Sequence, residues 1–346
     1  MGREVGSNLS KHKIVVVGCG NISKAWLEYA STREDSVIVG LVDINPENAE
    51  AAKVKYGLDC PIFTDVRESI RATSATLVFD LTILEAHPAV VIAAMEEGCD
   101  VFGEKPMAPS MEAAEAMIQA AASLGKSYTV MQNRRYLKEM FAFRELVQSG
   151  TIGQIGFVTS DFFLGLHNGA YRETMDNPLL MDMSIHTFDQ SRFITGKEPV
   201  FVECHTFNPA GSWFAGAAAA IITFEYEDGS CYSYRGCYCA EGAATSWQSS
   251  WRVVGSQGTA IWDGRNAPYA EVVIPTDEIV YENKHRRVDV EMTYQGKEQH
   301  GGCLDEMFEA LNADRKSATD CTDNAKSLAM LYGVMRSLRE GRKVRI

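Results

Sequence analysis

The chain has 346 residues, of which 46% are hydrophobic, so it is long enough for a large core and for two domains. Its net charge of −13 repels the phosphate backbone of nucleic acids and argues against a nucleic-acid partner. No run of about eighteen uninterrupted apolar residues occurs, which argues against a membrane-spanning helix. The polar stretch Met1–Lys13 lacks the apolar segment of a signal peptide and is expected to be a disordered leader.

The nine cysteines are spread along the chain without the spacing of a disulfide framework, and no Cys-x-x-Cys motif occurs. Cys231, Cys237 and Cys239 lie close together in sequence, but a zinc site needs four ligands at tighter spacing. The pattern therefore favours small buried side chains in a reduced, cytoplasmic protein without a bound metal.

The first predicted element is a β-branched strand, Lys13–Val17, which leads directly into a turn of small residues at Gly18–Ser23. Helical periodicity follows over Ile22–Ala30. The first glycine permits a tight turn, and Gly20 lets the backbone approach a pyrophosphate at the N-terminus of the helix. Ser23 replaces the third glycine of the dinucleotide-binding motif and still permits close packing. This pattern predicts a dinucleotide site, although the motif alone is weak.

A second apolar strand, Val37–Val42, ends at Asp43, where a carboxylate can accept hydrogen bonds from both hydroxyls of a ribose. The same carboxylate would repel the 2′-phosphate of NADP, so the sequence favours NAD as the cofactor. The alternative is that Asp43 is a turn residue before Asn45-Pro46.

Strands and helices then alternate up to residue 131. The predicted helices are Pro46–Tyr56, Val66–Ala72, His87–Glu97 and Ser110–Leu124, and the predicted strands are Thr76–Leu81, Val101–Phe102 and Tyr128–Met131. Such alternation is typical of a doubly wound parallel sheet. The expected fold class is α/β, with a Rossmann domain over residues 12–130.

Beyond residue 131 the pattern changes to many strands and few helices. A helix is predicted at Leu137–Ser149, strands at Phe157–Phe163, Ala218–Tyr226, Ser230–Tyr238, Ser250–Val254, Thr259–Trp262, Glu271–Ile274 and Lys284–Met292, and two last helices near Cys303–Ala313 and Asp323–Glu340. This indicates an α+β domain over residues 131–346 with a large, mostly antiparallel open sheet. We expect its last helices to pack back on the first domain.

The stretch Asp100–Pro106 is interpreted as a short buried strand that ends in the charged pair Glu104-Lys105. Open α/β sheets bind ligands at the carboxyl edge of their strands, so an acid and an amine at this edge are candidates for a site. The alternative is a surface ion pair that caps the strand.

The motif Asp182-Met-Ser-Ile-His186 predicts a helix that starts near Asp182. Residues four apart share one face of a helix, so Asp182 would lie beside His186 and fix its tautomer. A carboxylate in that position makes an imidazole competent as a general base. The alternative is that Asp182 caps the helix and that His186 is a buried structural residue.

The ordered set Gly18-Cys-Gly-Asn-Ile, Glu104-Lys105-Pro106 and Asp182-x-x-x-His186 resembles the Gfo/Idh/MocA family, which includes glucose–fructose oxidoreductase and inositol dehydrogenase. The resemblance covers nearly the whole chain from about residue 12, including Asn133-Arg134-Arg135-Tyr136. It implies an N-terminal Rossmann domain that binds NAD. It also implies a C-terminal α/β domain whose open sheet often forms the interface of a homodimer or homotetramer.

The resemblance further implies roles for individual residues. Lys105 would lie between the nicotinamide and the substrate, His186 would transfer a proton, and His87 and Asn133 would lie near the cofactor. Ile83 departs from the family, which commonly has proline after a threonine such as Thr82. The predicted cofactor-binding residues are Gly18, Gly20, Asn21, Ile22, Asp43, Thr82, His87, Glu104, Lys105 and Asn133.

These roles form a plausible reaction. Oxidation of a secondary alcohol removes the hydroxyl proton while a hydride leaves the same carbon. His186, oriented by Asp182, would take the proton, and Lys105 would stabilise the negative charge that develops on the oxygen. The sequence thus predicts an NAD-dependent dehydrogenase that acts on a sugar, a sugar derivative or an inositol-like polyol.

Aromatic residues interleaved with Asn, Arg and His suit a sugar or cyclitol ring, which offers apolar faces and an equator of hydroxyls. The predicted substrate-binding residues are His167, Arg135, Tyr171 and Trp213, and Asn168, Arg172, Phe214, Tyr238 and Trp247 belong to the same pattern. The alternative for the tryptophans is that they are core or interface aromatics. The tyrosines at positions 232, 234 and 238 likewise indicate either a subunit interface or a core.

Two other functions are compatible with the motifs. Tightly held NAD could be reduced and reoxidised within one turnover, which would allow epimerisation, elimination or glycoside cleavage without net redox. A silent NAD-sensing regulator could use the same fold to bind a protein partner. The joint presence of Lys105, Asp182 and His186 argues against the regulator, which needs none of them.

Overall fold

The computed structural model describes residues 11–167 and 170–346. The chain forms two compact units. The first comprises the chain up to Met131 together with His300–Ala325, and the second comprises Gln132–Gln299 together with Lys326–Ile346.

The first unit contains a six-stranded sheet flanked by helices. Its strands are β1 (His12–Val17), β2 (Ser36–Val42), β3 (Ile62–Phe63), β4 (Leu77–Asp80), β5 (Asp100–Gly103) and β6 (Tyr128–Val130). Its helices include α1 (Ser23–Ala30), α2 (Pro46–Tyr56), α3 (Val66–Thr73), α4 (His87–Glu96) and α5 (Met111–Leu124). The strand order is β3-β2-β1-β4-β5-β6 and every pair is parallel, which confirms the doubly wound Rossmann fold.

Local sequence determines most of the helix ends in this unit. The Asn45 side chain accepts a hydrogen bond from the Glu47 amide at the start of α2, and Gly57 ends that helix in the left-handed conformation. Ser110 and Gly125 play the same two roles for α5. These caps explain why the helix ends agree closely with those expected from the sequence.

The predicted leader, Met1–Lys13, extends too far. Residues 1–10 lie outside the described residues, but His12 and Lys13 belong to β1. His12 is buried because its ring packs edge-on against Phe308, with the centroids 5.3 Å apart, and its Nε2 lies 2.9 Å from Asn312 Oδ1. The leader prediction is therefore wrong for these two residues.

The second unit is built on a nine-stranded sheet. Its strands are β7 (Ile155–Phe163), β8 (Pro199–Phe207), β9 (Ala219–Tyr226), β10 (Cys231–Cys237), β11 (Ser250–Gly255), β12 (Gly258–Trp262), β13 (Tyr269–Val273), β14 (His285–Asp289) and β15 (Val344–Arg345), and its helices include α6 (Lys138–Gln148) and α7 (Ile185–Thr195). The order is β14-β13-β12-β11-β7-β10-β9-β8-β15. β7 and β10 pair in parallel and the other seven neighbouring pairs are antiparallel, which confirms the mostly antiparallel sheet.

The tyrosine-rich strand β10 contributes to the core of this unit. Tyr232 stacks on Phe224, with the ring centroids 5.5 Å apart, and on Trp251 at 6.0 Å. Tyr232, Tyr234 and the following Tyr238 have no exposed surface. The choice between interface and core is thereby settled in favour of the core, because these rings are already buried within one chain.

Two last helices, α8 (Gln299–Asn312) and α9 (Cys321–Glu340), complete the described chain. Several cysteines lie in helices or loops rather than on strands, among them Cys303 in α8 and Cys321 in α9. In the two described ranges, no helix has both the length and the apolar content that crossing a membrane requires.

Candidate active site

A cavity of about 870 Å³ lies at the carboxyl ends of β1, β2 and β4 in the first unit. The strand order reverses at this point, because β2 and β3 lie on one side of β1 and β4 to β6 lie on the other. Ligands of open α/β sheets bind at such a reversal. Five of the predicted cofactor-binding residues line the cavity: Gly18, Gly20, Ile22, Asp43 and Thr82.

The two glycines of the turn before α1 have different reasons for lacking a side chain. Gly18 has a φ of +91°, and a Cβ built on it would lie 2.6 Å from the Leu81 carbonyl oxygen. Gly20 has nothing within 4 Å of such a Cβ, so its backbone borders open space. Gly18 is thus required by the fold, whereas Gly20 keeps room for a ligand. The turn fits the phosphates of a dinucleotide.

Asp43 is held in a fixed orientation at the end of β2. Its Oδ2 accepts a hydrogen bond from the Cys19 amide at 2.8 Å, and its Oδ1 accepts from the Asn45 amide at 2.9 Å and from Asn48 Nδ2 at 3.2 Å. The bond to Asn45 shows that Asp43 also shapes the turn, as the alternative proposed. Burial and the neighbouring Asp43 charge raise the pKa of the Cys19 thiol to about 12, so the thiol stays protonated.

Asp80, at the end of β4, was not selected from the sequence. Its carboxylate is fully buried and lies 2.6 Å from His87 Nδ1, and it accepts a 2.6 Å hydrogen bond from the Thr82 hydroxyl. The local pattern carried a recognisable signal, because Asp80 directly follows the apolar run Leu77–Phe79. An acid that ends a buried strand must find hydrogen-bond donors nearby.

Glu104, which follows β5, is buried rather than part of a surface ion pair. Trp26 Nε1 donates a 2.8 Å hydrogen bond to its Oε1, and the Lys105 amide donates to its Oε2 at 3.1 Å. The surface alternative is therefore wrong for Glu104. Its carboxylate joins α1 to the end of β5, and the half-buried Lys105 follows on a cis peptide bond to Pro106.

The remaining cofactor candidates lie in two places. Asn21 is exposed in the turn before α1, and Asn133 opens a short 3-10 turn, Asn133–Arg135, in the second unit. Among the residues that the structure describes, no group of three His, Cys, Asp or Glu side chains could hold a metal ion.

Asp182 lies in a single π-helical turn, Leu180–Ser184, directly before α7. It does not cap a helix, since Ser184 holds the N-cap position of α7, so the capping alternative is wrong. Its Oδ2 accepts hydrogen bonds from Arg172 Nε at 2.8 Å and from the Tyr238 hydroxyl at 2.9 Å. His186 is buried in the first turn of α7.

Both donors to Asp182 keep their protons. Burial, reinforced by the Asp182 charge, raises the pKa of Tyr238 far above its ordinary value. The hydrogen bond to Asp182 raises the pKa of Arg172. The two side chains therefore act as permanent donors that orient this carboxylate.

Two predicted substrate residues, His167 and Trp213, belong to a ladder of ring contacts that ends at Tyr238, and Tyr171 contacts Arg172. His167 stacks on Trp213 with the centroids 3.9 Å apart, Trp213 lies 5.7 Å from Phe214, and Phe214 lies 5.9 Å from Tyr238. His167 also contacts the Glu241 carboxylate. Tyr171 is exposed and lies beneath the Arg172 guanidinium at 4.9 Å, whereas Asn168 lies outside the described residues.

Arg135, the fourth predicted substrate residue, lies elsewhere. Its Nε and Nη2 each lie 2.6 Å from an oxygen of the buried Asp189, in a two-pronged ion pair. Ser327 donates a further hydrogen bond to Asp189 Oδ1 at 2.7 Å. This ion pair favours a structural role for Arg135 over substrate binding, because its planar guanidinium matches a buried carboxylate.

Both parts of the chain match protein-family models. Residues 12–132 match the model described as the oxidoreductase family, NAD-binding Rossmann fold. Residues 144–346 match the model described as the oxidoreductase family, C-terminal alpha/beta domain. NAD is therefore the cofactor of the first unit, in agreement with the position of Asp43.

Two curated relatives have named activities. A D-glucoside 3-dehydrogenase of Escherichia coli (strain K12) is 27% identical over 208 residues, which is 58% of this chain and 59% of that protein. An inositol 2-dehydrogenase of Burkholderia lata is 29% identical over 195 residues, 54% of this chain and 56% of that protein. The chain thus matches little more than half the length of either relative.

The fold also occurs in a solved structure. An oxidoreductase from Agrobacterium radiobacter, in complex with NAD+, L-tartaric acid and magnesium, superposes with a TM-score of 0.82. The superposition covers 97% of this chain and 98% of that chain at 19% sequence identity. At this identity the similarity shows a common fold.

Alanine substitutions in the turn before α1 should separate folding from cofactor binding. We expect Gly18→Ala to lower the free energy of unfolding by about 2 kcal/mol or more, because its methyl group would collide with the Leu81 carbonyl at a positive φ. Gly20→Ala should change stability by less than about 1 kcal/mol but weaken NAD binding. Urea unfolding and calorimetric titration with NAD measure the two effects. An equal loss of stability in both variants would contradict the assignment of Gly18 to folding and Gly20 to NAD binding.

Substitution of Arg135 should affect folding rather than substrate recognition. Arg135→Met removes the two-pronged partner of the buried Asp189 carboxylate and leaves it the Arg192 guanidinium, whose Nη1 is 3.8 Å away, so it should cost about 3 kcal/mol of stability. The double variant Arg135→Met/Asp189→Leu should recover part of this loss, because the carboxylate that lost its main partner is then removed and Arg192 keeps Glu198. Chemical denaturation of the two variants provides the comparison. A normal unfolding midpoint for Arg135→Met would restore Arg135 as a substrate candidate.

Proposed function

The chain belongs to the Gfo/Idh/MocA family of NAD-binding oxidoreductases, and from this premise we propose that it is a dehydrogenase for a secondary hydroxyl of a sugar, a sugar derivative or an inositol-like polyol. The names of the two curated relatives, a glucoside and an inositol dehydrogenase, support this substrate class. The observation that carries the proposal is the orientation of Asp182 by Arg172 and Tyr238 in the turn directly before His186.

In the proposed reaction His186 is the general base that removes the hydroxyl proton. Arg172 and Tyr238 fix the position of the Asp182 carboxylate, which in turn would orient the imidazole and stabilise its charged form. Lys105 donates a hydrogen bond to the reacting oxygen and stabilises the negative charge that develops there. NAD, when bound, accepts the hydride from the same carbon.

The first unit supplies the residues that hold the cofactor. Gly20 and the N-terminus of α1 would bind the pyrophosphate, because α1 has no side-chain cap on the amides of its first turn. Asp43 would accept hydrogen bonds from the ribose hydroxyls. Of the residues that donate hydrogen bonds to Asp43, Asn45 and Asn48 line the cavity and Cys19 lies in the turn before α1.

The ladder of rings on the second unit would bind the substrate. Trp213 and Tyr171 offer apolar faces to a sugar ring, and His167 adds a polar edge beside Glu241. Tyr238 connects this surface to Asp182, the carboxylate that would orient the general base. The oligomeric state and the cytoplasmic location stay predictions from the sequence.

The proposal predicts that two substitutions remove turnover but not cofactor binding. Lys105→Met and His186→Ala should each lower kcat by about a hundredfold or more, because one loses charge stabilisation and the other loses the base. NAD affinity should stay within about threefold of the parent protein. NADH absorbance, recorded with NAD and a panel of inositols, aldoses and glycosides, measures turnover. Lys55→Met on α2 and His285→Ala on β14 are matched exposed controls.

The same assay discriminates between the three functions. NADH that accumulates with one substrate class supports net oxidation. Substrate that is consumed without NADH, with NAD still bound, would favour transient redox. If no substrate is consumed although NAD binds, the regulator gains support, and near-normal turnover in both variants would reject the assigned residues.

Arg172 should influence the reaction through Asp182. Arg172→Met removes the charged donor that orients the carboxylate, and we expect kcat/KM to fall by about tenfold to a hundredfold. Arg172→Lys should recover part of this loss, since it keeps the charge but not the two-pronged geometry. Steady-state kinetics with saturating NAD provides the measurement. A pure rise in KM with unchanged kcat would assign Arg172 to substrate binding instead.

A further inference from the structure

The buried Asp80 makes three hydrogen bonds that the proposed reaction does not use. Its Oδ1 accepts from the Thr82 hydroxyl at 2.6 Å and from the Thr82 amide at 3.2 Å, and its Oδ2 lies 2.6 Å from His87 Nδ1. Asp80 has no exposed surface and His87 has 2%. A carboxylate buried this deeply persists only where donors satisfy it, so these bonds constrain the surrounding chain.

Of these three residues Thr82 lines the NAD cavity, and Asp80 and His87 lie outside its lining. Thr82 is the second residue after β4, and His87 is the first residue of α4. The loop between them contributes Leu81, Thr82, Ile83 and Ala86 to the cavity lining, and α4 contributes Ala89, Val90 and Ala93. Asp80 itself does not line the cavity, so it acts on the wall from behind.

The carboxylate also determines which nitrogen of His87 carries a proton. Because Nδ1 lies only 2.6 Å from an oxygen of the carboxylate, which can only accept, the hydrogen bond places a proton on Nδ1. The ring is therefore locked in orientation at the start of α4. A single side chain thus fixes both ends of the loop over residues 81–86.

We infer that Asp80 is a positioning residue for NAD: through Thr82 and His87 it holds the β4–α4 loop in the conformation that binds the cofactor. It makes no direct contact with NAD. Loss of its charge would free both ends of the loop while leaving the residues of the cavity wall unchanged. The cofactor would then have to order this loop when it binds, at a cost in affinity.

The test is the isosteric variant Asp80→Asn, assayed for NAD affinity by calorimetric titration and for stability by thermal unfolding without NAD. We expect NAD to bind about tenfold more weakly or worse. Asp100→Asn is the matched control, because Asp100 Oδ1 accepts the Ser127 amide at 2.8 Å at the opposite end of the neighbouring strand. It should lower the unfolding temperature without changing NAD affinity. An Asp80→Asn protein that binds NAD within about twofold of the parent would overturn the inference.

A second measurement on the unaltered protein applies even if Asp80→Asn fails to fold. The chain has seven histidines, so proton NMR of protein labelled with 15N-histidine can resolve the strongly hydrogen-bonded Nδ1 proton of His87. His87→Gln identifies the resonance by its loss. We expect the resonance downfield without NAD and shifted when NAD is added, because the loop it anchors contacts the cofactor. A resonance that NAD leaves unchanged, or a His87 protonated on Nε2 alone, would contradict the inference.

Discussion

Three buried or nearly buried acids lie at the carboxyl edge of the first sheet, and each of them needs hydrogen-bond donors. Asp43 follows β2, Asp80 ends β4 and Glu104 follows β5. A carboxylate removed from water is tolerated only where hydrogen-bond donors replace its hydration. Each acid therefore determines where a neighbouring segment lies, and together they position the segments that surround the cavity.

The hydrogen-bond donors to these acids come from different segments, so each hydrogen bond connects one segment to the end of a strand. The Cys19 amide brings the turn before α1 to Asp43, Trp26 brings α1 to Glu104, and Thr82 and His87 bring the β4–α4 loop to Asp80. The close approach of Gly18 to the Leu81 carbonyl connects the turn and the loop directly. A net charge of −13 is thus no obstacle to a dinucleotide, because the acids at this edge are engaged by the protein's own donors and Gly20 faces open space.

The sequence predicted the features that depend on neighbours in the chain. The alternation of strands and helices, the cap residues such as Asn45 and Ser110, and the glycine turn are all local, and the structure has them where expected. Three strands were missed: β3 and β15, which have two residues each, and β8, whose alternating apolar and polar residues include Glu203 and His205. The contact of Asp80 with His87 could have been found, since only seven residues separate them.

Contacts between distant positions could not be derived from the sequence. Asp182 accepts from Tyr238, 56 residues further along, and its own turn is π-helical, which a spacing of four residues does not distinguish from an α-helix. The sequence alone also does not show that Asp189 engages Arg135, 54 residues away. Residue types thus pointed to the proposed chemistry, whereas the partners of those residues depend on the fold.

The hydrogen bonds from Arg172 and Tyr238 to Asp182 bear on the choice between an enzyme and a silent regulator. Holding a carboxylate with a guanidinium and a buried tyrosine hydroxyl costs desolvation and side-chain entropy, and exposed ion pairs return little stability for that cost. Arg172 is partly exposed and Asp182 is nearly buried, so the arrangement is a poor device for stability alone. The arrangement does fix the orientation of one carboxylate directly before a buried histidine. A protein that only sensed NAD would need neither, which is why we favour the dehydrogenase.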